Sequence, residues 1–216
     1  MLLSDFAAPP ARGQVLDLGC GNGALGVLLC ARHDKVHVTG LELQEDVAQL
    51  AQENVCINHL EDRLTIQTGD FKQYKKLYPT GSFAYVVCNP PYFSNQSGAA
   101  AKGQNRSTAR QEQQGSMADA VKAAAYFVKF GGRVAFVYRP ERVCELIAQM
   151  LACDLQPKRM RFVHQTVHAA PSAVLIEARR GSAAGVQVMP PLLICQENGE
   201  KTAEYRKIYH MEEFSR

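Results

Sequence analysis

Apolar positions along the chain fall into short runs separated by longer amphipathic stretches. Runs of strand length occupy 15–18, 36–41, 64–67, 83–88, 134–138, 158–164 and 173–178, and they are rich in Val, Leu, Ile and Phe. Between them, apolar residues recur at helical spacing over 23–32, 44–58, 116–130 and 141–153. Gly131-Gly132 marks the expected stop of the third helix, and Pro140 the first turn of the fourth. The order βαβαββαβαββ predicts an α/β fold, a seven-stranded and mostly parallel sheet with helices on both faces. In such sheets ligands enter the crevice beyond the strand C-termini, so the residues that end strands are where chemistry is to be sought. The stretch 94–115 breaks the rhythm: it is rich in Ser, Asn, Gln, Gly and Ala, carries Lys102, Arg106 and Arg110, and reads as a lid or binding loop.

Composition narrows the class. With 216 residues, 46% apolar and 21% charged, residues 1–216 read as a single domain able to bury a core without disulfide or metal support. No apolar run reaches the roughly 18 residues of a membrane helix, and the opening residues lack the basic start and apolar stretch of a signal peptide. The expected location is the cytoplasm. Seven cysteines, an odd number without a Cys-x-x-Cys pair, read as reduced, buried thiols, and neither they nor the six histidines show zinc-ligand spacing, so no metal is expected. The net charge of +3 is unevenly spread. Residues 1–101 hold 7 Lys/Arg against 10 Asp/Glu and residues 102–216 hold 17 against 11, giving −3 and +6. A basic half points to a polyanion approaching one side.

Four strand ends carry the chemistry. Asp17-Leu18-Gly19-Cys20-Gly21-Asn22-Gly23 runs from the first strand into a helix, and its glycines let a ligand lie against the backbone at the helix N-terminus. Nicotinamide and flavin proteins share this spacing. An acid at Asp17, however, suits a cationic, amine-bearing ligand better than a pyrophosphate and favours S-adenosylmethionine. Glu42, followed by Leu43, ends the second strand, where a carboxylate can accept two ribose hydroxyls. Asp70 and Phe71 follow the third, placed to accept from an adenine amine and to pack on its ring. A Glu closing a strand and an Asp capping a turn are ordinary structural choices when met singly; their concurrence at successive strand ends is the signal.

After the fourth strand stands Asn89-Pro90-Pro91-Tyr92-Phe93. The prolines fix the backbone, so the Asn89 side-chain oxygen and the Pro90 carbonyl can both accept from one planar amine while Tyr92 stacks on its ring. Held this way, the nitrogen lone pair faces an electrophilic methyl, and transfer needs positioning rather than a strong base.

With these motifs the chain resembles class I S-adenosylmethionine methyltransferases, through Asp17 to Gly23, Glu42 and Asn89 to Tyr92. The resemblance implies a Rossmann-like fold and methylation of an amino group, of adenine N6 in nucleic acids or of glutamine N5 in proteins. More narrowly the chain is similar to bacterial valine-tRNA (adenine-37-N6) methyltransferases, through Leu2-Leu3-Ser4-Asp5-Phe6, Tyr138-Arg139-Pro140-Glu141-Arg142, the stretch 157–164, Val174-Leu175-Ile176-Glu177-Ala178, Leu192 and Tyr209. It starts after a segment that helps enclose the cofactor in that family, which implies weaker cofactor retention. A tRNA substrate follows from the resemblance. Arg139, at a strand end, is the foremost candidate for a phosphate contact, with Lys158, Arg159 and Arg161 further candidates, of which alternation puts Arg159 and Arg161 on one face and Lys158 on the other. A protein glutamine methyltransferase and a nucleotide-binding module without catalysis are the alternatives.

Overall fold

The computed structural model describes residues 1–90 and 116–210. A short helix α1 (Leu2–Phe6) precedes β1 (Gly13–Leu18), α2 (Ala24–Arg32), β2 (Val36–Glu42), α3 (Glu45–Ile57) and β3 (Leu64–Thr68). A 3₁₀ turn (Phe71–Gln73) and α4 (Tyr74–Leu77) lead to β4 (Phe83–Cys88). Beyond residue 115 come α5 (Met117–Phe127), β5 (Val128–Tyr138), a 3₁₀ turn (Pro140–Arg142), α6 (Val143–Ala152), β6 (Leu155–His164), β7 (Pro171–Arg180), β8 (Gln187–Val188), β9 (Leu192–Leu193) and α7 (Ala203–Ile208).

The strands form one sheet in the order β3-β2-β1-β4-β5-β7-β6-β8, with β9 also paired to β6. The first five run parallel, while β7 runs antiparallel to both β5 and β6. Against the seven expected strands, the two additional ones, β8 and β9, are two residues each, too short to show any periodicity. One face of the sheet packs Leu3 and Phe6 of α1, Leu29 of α2, Val55 of α3 and Ile208 of α7 against Val15, Val36, Tyr85 and Val87. The other packs Phe71, the alanine-rich face of α5 and Leu146 and Met150 of α6 against Leu16, Val86, Val134, Phe136 and Ile176. Helices on both faces leave the strand ends open.

The third helix departs from the sequence-based expectation. A reciprocal cap opens it, Ser116 Oγ accepting from the Asp119 amide and Asp119 accepting from the Ser116 amide. It ends at Phe127, three residues before the expected stop at 130, because Val128 turns to extended geometry and joins β5. Gly131 and Gly132 lie inside that strand. The cysteines are all free, as expected, but Cys56 and Cys144 are exposed rather than buried.

Candidate active site

Parallel pairing brings the expected strand ends to one edge. Leu18 is level with Leu41 on one side and Cys88 on the other, and Glu42 with Thr68, so the turns after β1, β2, β3 and β4 are neighbours. The turn after β1 is stitched to β2: the amides of Gly19 and Cys20 both donate to the Leu41 carbonyl, at 2.9 and 3.0 Å. Gly19, Gly21 and Gly23 have φ of +74°, +54° and +79°, a conformation that disfavours any residue with a Cβ.

These glycines divide by their surroundings. A Cβ at Gly23 would sit 3.2 Å from the Cβ of Ala51, so this position lets α2 pack on α3. A Cβ at Gly40 would meet Cys20 Sγ at 2.8 Å and Ile66 Cδ1 at 2.9 Å, and Gly40 thus admits the Cys20 side chain beneath the turn. Gly19 and Gly21 have nothing within 4 Å of their Cβ positions among the described residues. They form a bare backbone floor.

Glu42 is 7% exposed and holds this floor in place. One carboxylate oxygen accepts from the Gly21 amide at 2.9 Å and the other from the Gln44 amide at 3.0 Å. A carboxylate has about four lone-pair positions, so two hydrogen bonds leave capacity for a further ligand. Gly69 donates to the Glu42 carbonyl at 2.8 Å, tying the turn after β3 to the same residue. There Asp70 accepts from the Lys72 amide at 2.9 Å and caps the 3₁₀ turn, while Phe71 is buried in the core behind it. Leu43 is half-buried between Glu42 and the start of α3.

Asp17 is the electrostatic oddity of the site. It is 1% exposed, and among the described residues its Oδ2 has no hydrogen-bond partner. Burial, with a smaller contribution from the Glu42 carboxylate, pushes its pKa up to about 7, while a hydrogen bond from the Gly26 amide opposes the shift. Cys20 and Cys88 both lie near it, and burial together with the Asp17 charge raises both thiols above their ordinary values. Both thiols are thereby held in the neutral form.

Asn89 is exposed at the end of β4, followed by a buried Pro90. Pro91 and Tyr92, with Lys102, Arg106 and Arg110 of the expected loop, lie outside the described residues. On the next strand Tyr138 is fully buried, and its hydroxyl accepts from Arg142, which also pairs with Glu145 at 2.6 Å. Arg139 is half-buried at the head of this turn. Among the described residues, no group of three His, Cys, Asp or Glu is arranged to hold a metal.

The candidates on β6 lie elsewhere and are engaged with the fold. Lys158 Nζ donates to the carbonyls of Ala183 and Gly185. Arg159 pairs with the buried Glu177 at 3.0 Å, donates to the Phe6 carbonyl and covers the Phe6 ring. Arg161 pairs with Glu204 at 2.8 Å and donates to the Pro190 carbonyl. Glu177 itself, fully buried and also reached by the Tyr85 hydroxyl and Arg133, played no part in the sequence-based site. A lone acid inside an apolar strand, Val174-Leu175-Ile176-Glu177-Ala178, was the available signal.

A bare glycine floor, a carboxylate at its side and a buried acid with one unpartnered oxygen thus meet at neighbouring strand ends. The model of the methyltransferase small domain family matches residues 1–151. The chain belongs to that family. Its relatives include a tRNA1(Val) (adenine(37)-N6)-methyltransferase of Aliivibrio fischeri, 28% identical over 76% of this chain and 68% of the relative. A protein of the same description from Porphyromonas gingivalis is 27% identical over 83% and 72%. The chain thus spans about two thirds of the length of such relatives. Among solved structures, a predicted O-methyltransferase from Agrobacterium tumefaciens superposes with a TM-score of 0.78 at 22% identity, covering 97% of this chain and 94% of its own. A geranyl diphosphate C-methyltransferase from Streptomyces coelicolor, with S-adenosyl-L-homocysteine bound, gives 0.59 at 14% identity over 83% and 75%. These likenesses establish the family's fold. The described residues contain no helix long and apolar enough to cross a membrane.

Proposed function

We propose that the chain transfers a methyl group from S-adenosylmethionine to the exocyclic N6 amine of an adenine in RNA, with adenine 37 of a valine tRNA as the specific target. The observation that carries this reading is the adjacency of Asn89 to the open glycine floor, fixed by the pairing of Cys88 with Leu18. The names of the relatives support the RNA substrate.

The site fits the donor on its own features. The unpartnered Asp17 oxygen matches the cationic amino-acid portion, the uncovered backbone at Gly19 and Gly21 matches a ligand lying flat, and Glu42 has lone pairs left for ribose hydroxyls. When bound, the donor supplies an electrophilic methyl on a sulfonium. The chain's own residues do the remaining work. Asn89 and the Pro90 carbonyl accept the two N–H groups of the incoming amine, which fixes its plane and aims its lone pair. Hydrogen bonding to both N–H groups also stabilises the charge that develops on nitrogen, and the proton passes to solvent water after the methyl has arrived. Arg139 contacts a flanking phosphate.

The test is labelled methyl transfer to total tRNA, with release factor as the competing acceptor, followed by mass spectrometry of the nucleosides. N6-methyladenosine in the tRNA is the expected product. Label in release factor alone transfers the assignment to glutamine methylation, and donor binding without transfer to either reduces the chain to a binding module. Asn89→Ala is expected to lower turnover by about 100-fold or more with donor affinity nearly unchanged.

A further inference from the structure

Part of the basic excess of the second half of the chain lies away from the crevice, since on β6 Lys158, Arg159 and Arg161 are all engaged within the fold. It surfaces at the opposite edge of the sheet, where β5 begins and β7 ends. Between Phe83 and Tyr85 the β4 strand advances two residues, whereas the paired stretch of β5 advances five, from Val128 to Arg133. The three extra residues push Lys129 and Phe130 out of the sheet. The bulge is held firmly: a Cβ at Gly132 would lie 2.8 Å from the Ala84 carbonyl, and Arg179 Nε donates to the Gly131 carbonyl at 2.9 Å.

Beside it lies a cavity of about 410 Å³ lined by Lys129, Arg133, Arg179, Tyr85 and the two glycines. Lys129 and Arg179 are exposed, and among the described residues neither has an acidic partner. Arg133 gives one N–H to buried Glu177 and remains 44% exposed. Glu177 is already shared with Arg159, so it does not cancel the charge around the cavity. Phe130, at 76%, is the most exposed of the large apolar side chains described, and its ring lies over Gly181 with one face to solvent.

We propose that Lys129, Arg133, Arg179 and Phe130 form a second RNA contact, remote from the reacting base, in which the cations neutralise backbone phosphates and the phenyl ring takes a stacked base. A ligand that carries both regularly spaced anions and flat rings uses every element of this patch. The patch lies a strand length, about 20 Å, from the Asn89 edge, a span that an RNA arm bridges while its target base is turned into the crevice. This inference rests on the RNA reading of the crevice.

The test compares the full chain with a Lys129→Ala/Arg179→Ala double variant and with Phe130→Ala, in binding to total tRNA between 50 and 200 mM salt. The double variant is expected to bind about ten-fold more weakly at low salt, with the dependence of log affinity on log salt shallower by about two. Phe130→Ala is expected to lose about ten-fold at an unchanged slope, since stacking releases no counterions. Methyl-donor affinity by calorimetry should match the parent in both. If the parent binds tRNA and the double variant binds identically at every salt, the second contact is refuted and the crevice reading stands. If the parent binds the donor but no tRNA, both fall. A loss of donor affinity in the variants also overturns the inference, because the effect is then not confined to the patch.

Discussion

Two buried carboxylates sit at the same level on the same face of the sheet, linked by the register Asp17, Val87, Ala135, Glu177, and they are opposites. Glu177 is surrounded: the Tyr85 hydroxyl, Arg133 and both ends of the Arg159 fork reach it. Asp17 has a single backbone amide for one oxygen and nothing for the other. A buried charge is tolerated when its partners are supplied by the chain. Glu177 is thus a knot that holds β6, β7, β4 and the segment after α1 together, and under the proposed function Asp17 is a socket for the ligand.

Removing the knot should have the largest effect. Glu177→Ala leaves Arg133, Arg159 and the Tyr85 hydroxyl without their acceptor, and a loss of about 3–5 kcal/mol in urea unfolding is expected. The same substitution should scarcely change how donor affinity depends on pH. Removing the socket should act in the contrary direction on the ligand-free protein. The Asp17 pKa is raised from 3.8 to about 7, so between those values the folded state holds a proton that the unfolded state has released. Stability therefore falls as pH rises from about 4 to about 7, by an amount on the order of a few kcal/mol. Asp17→Asn should abolish that decline and raise the melting temperature at pH 8, while donor affinity drops and loses its rise with pH through 7. If Asp17→Asn melts lower than the parent at pH 8, the socket is instead part of the fold's own bonding. The smallest effect is expected from Gly21→Ala. Its Cβ meets no neighbour, so the stability cost is about 1–2 kcal/mol from the left-handed backbone alone, and donor affinity falls because the floor is no longer bare. Gly40→Ala, into Cys20 and Ile66, should cost more stability than Gly21→Ala and serves as its counterpart.

The same pair shows what could be read before any coordinates. Strand ends were legible because a parallel sheet places them by a local rule, and Asp17, Gly19, Gly21, Glu42 and Asn89 are all found at adjacent ends of β1, β2 and β4. The rule of alternation also put Arg159 and Arg161 on one face, and both line a cavity under α1 with Phe6 and Leu175. What alternation cannot tell is who stands opposite. Arg159 faces Glu177, and Arg161 faces Glu204 some forty residues on, pairings made by antiparallel register and by the return of α7. The helix stop at Phe127 was missed for a related reason. Val128-Lys129-Phe130 continues the apolar spacing of α5, but pairing of Val128 with Phe83 draws those residues into the sheet.

The double acceptance at the Leu41 carbonyl has a kinetic consequence. The amides of Gly19 and Cys20 cannot exchange with deuterated solvent until the last rung of β1 and β2 opens, so this loop should be protected like strand interior rather than like a surface turn. Under the proposed function the ligand's floor is frozen before the ligand comes, and little disorder is left to surrender on docking.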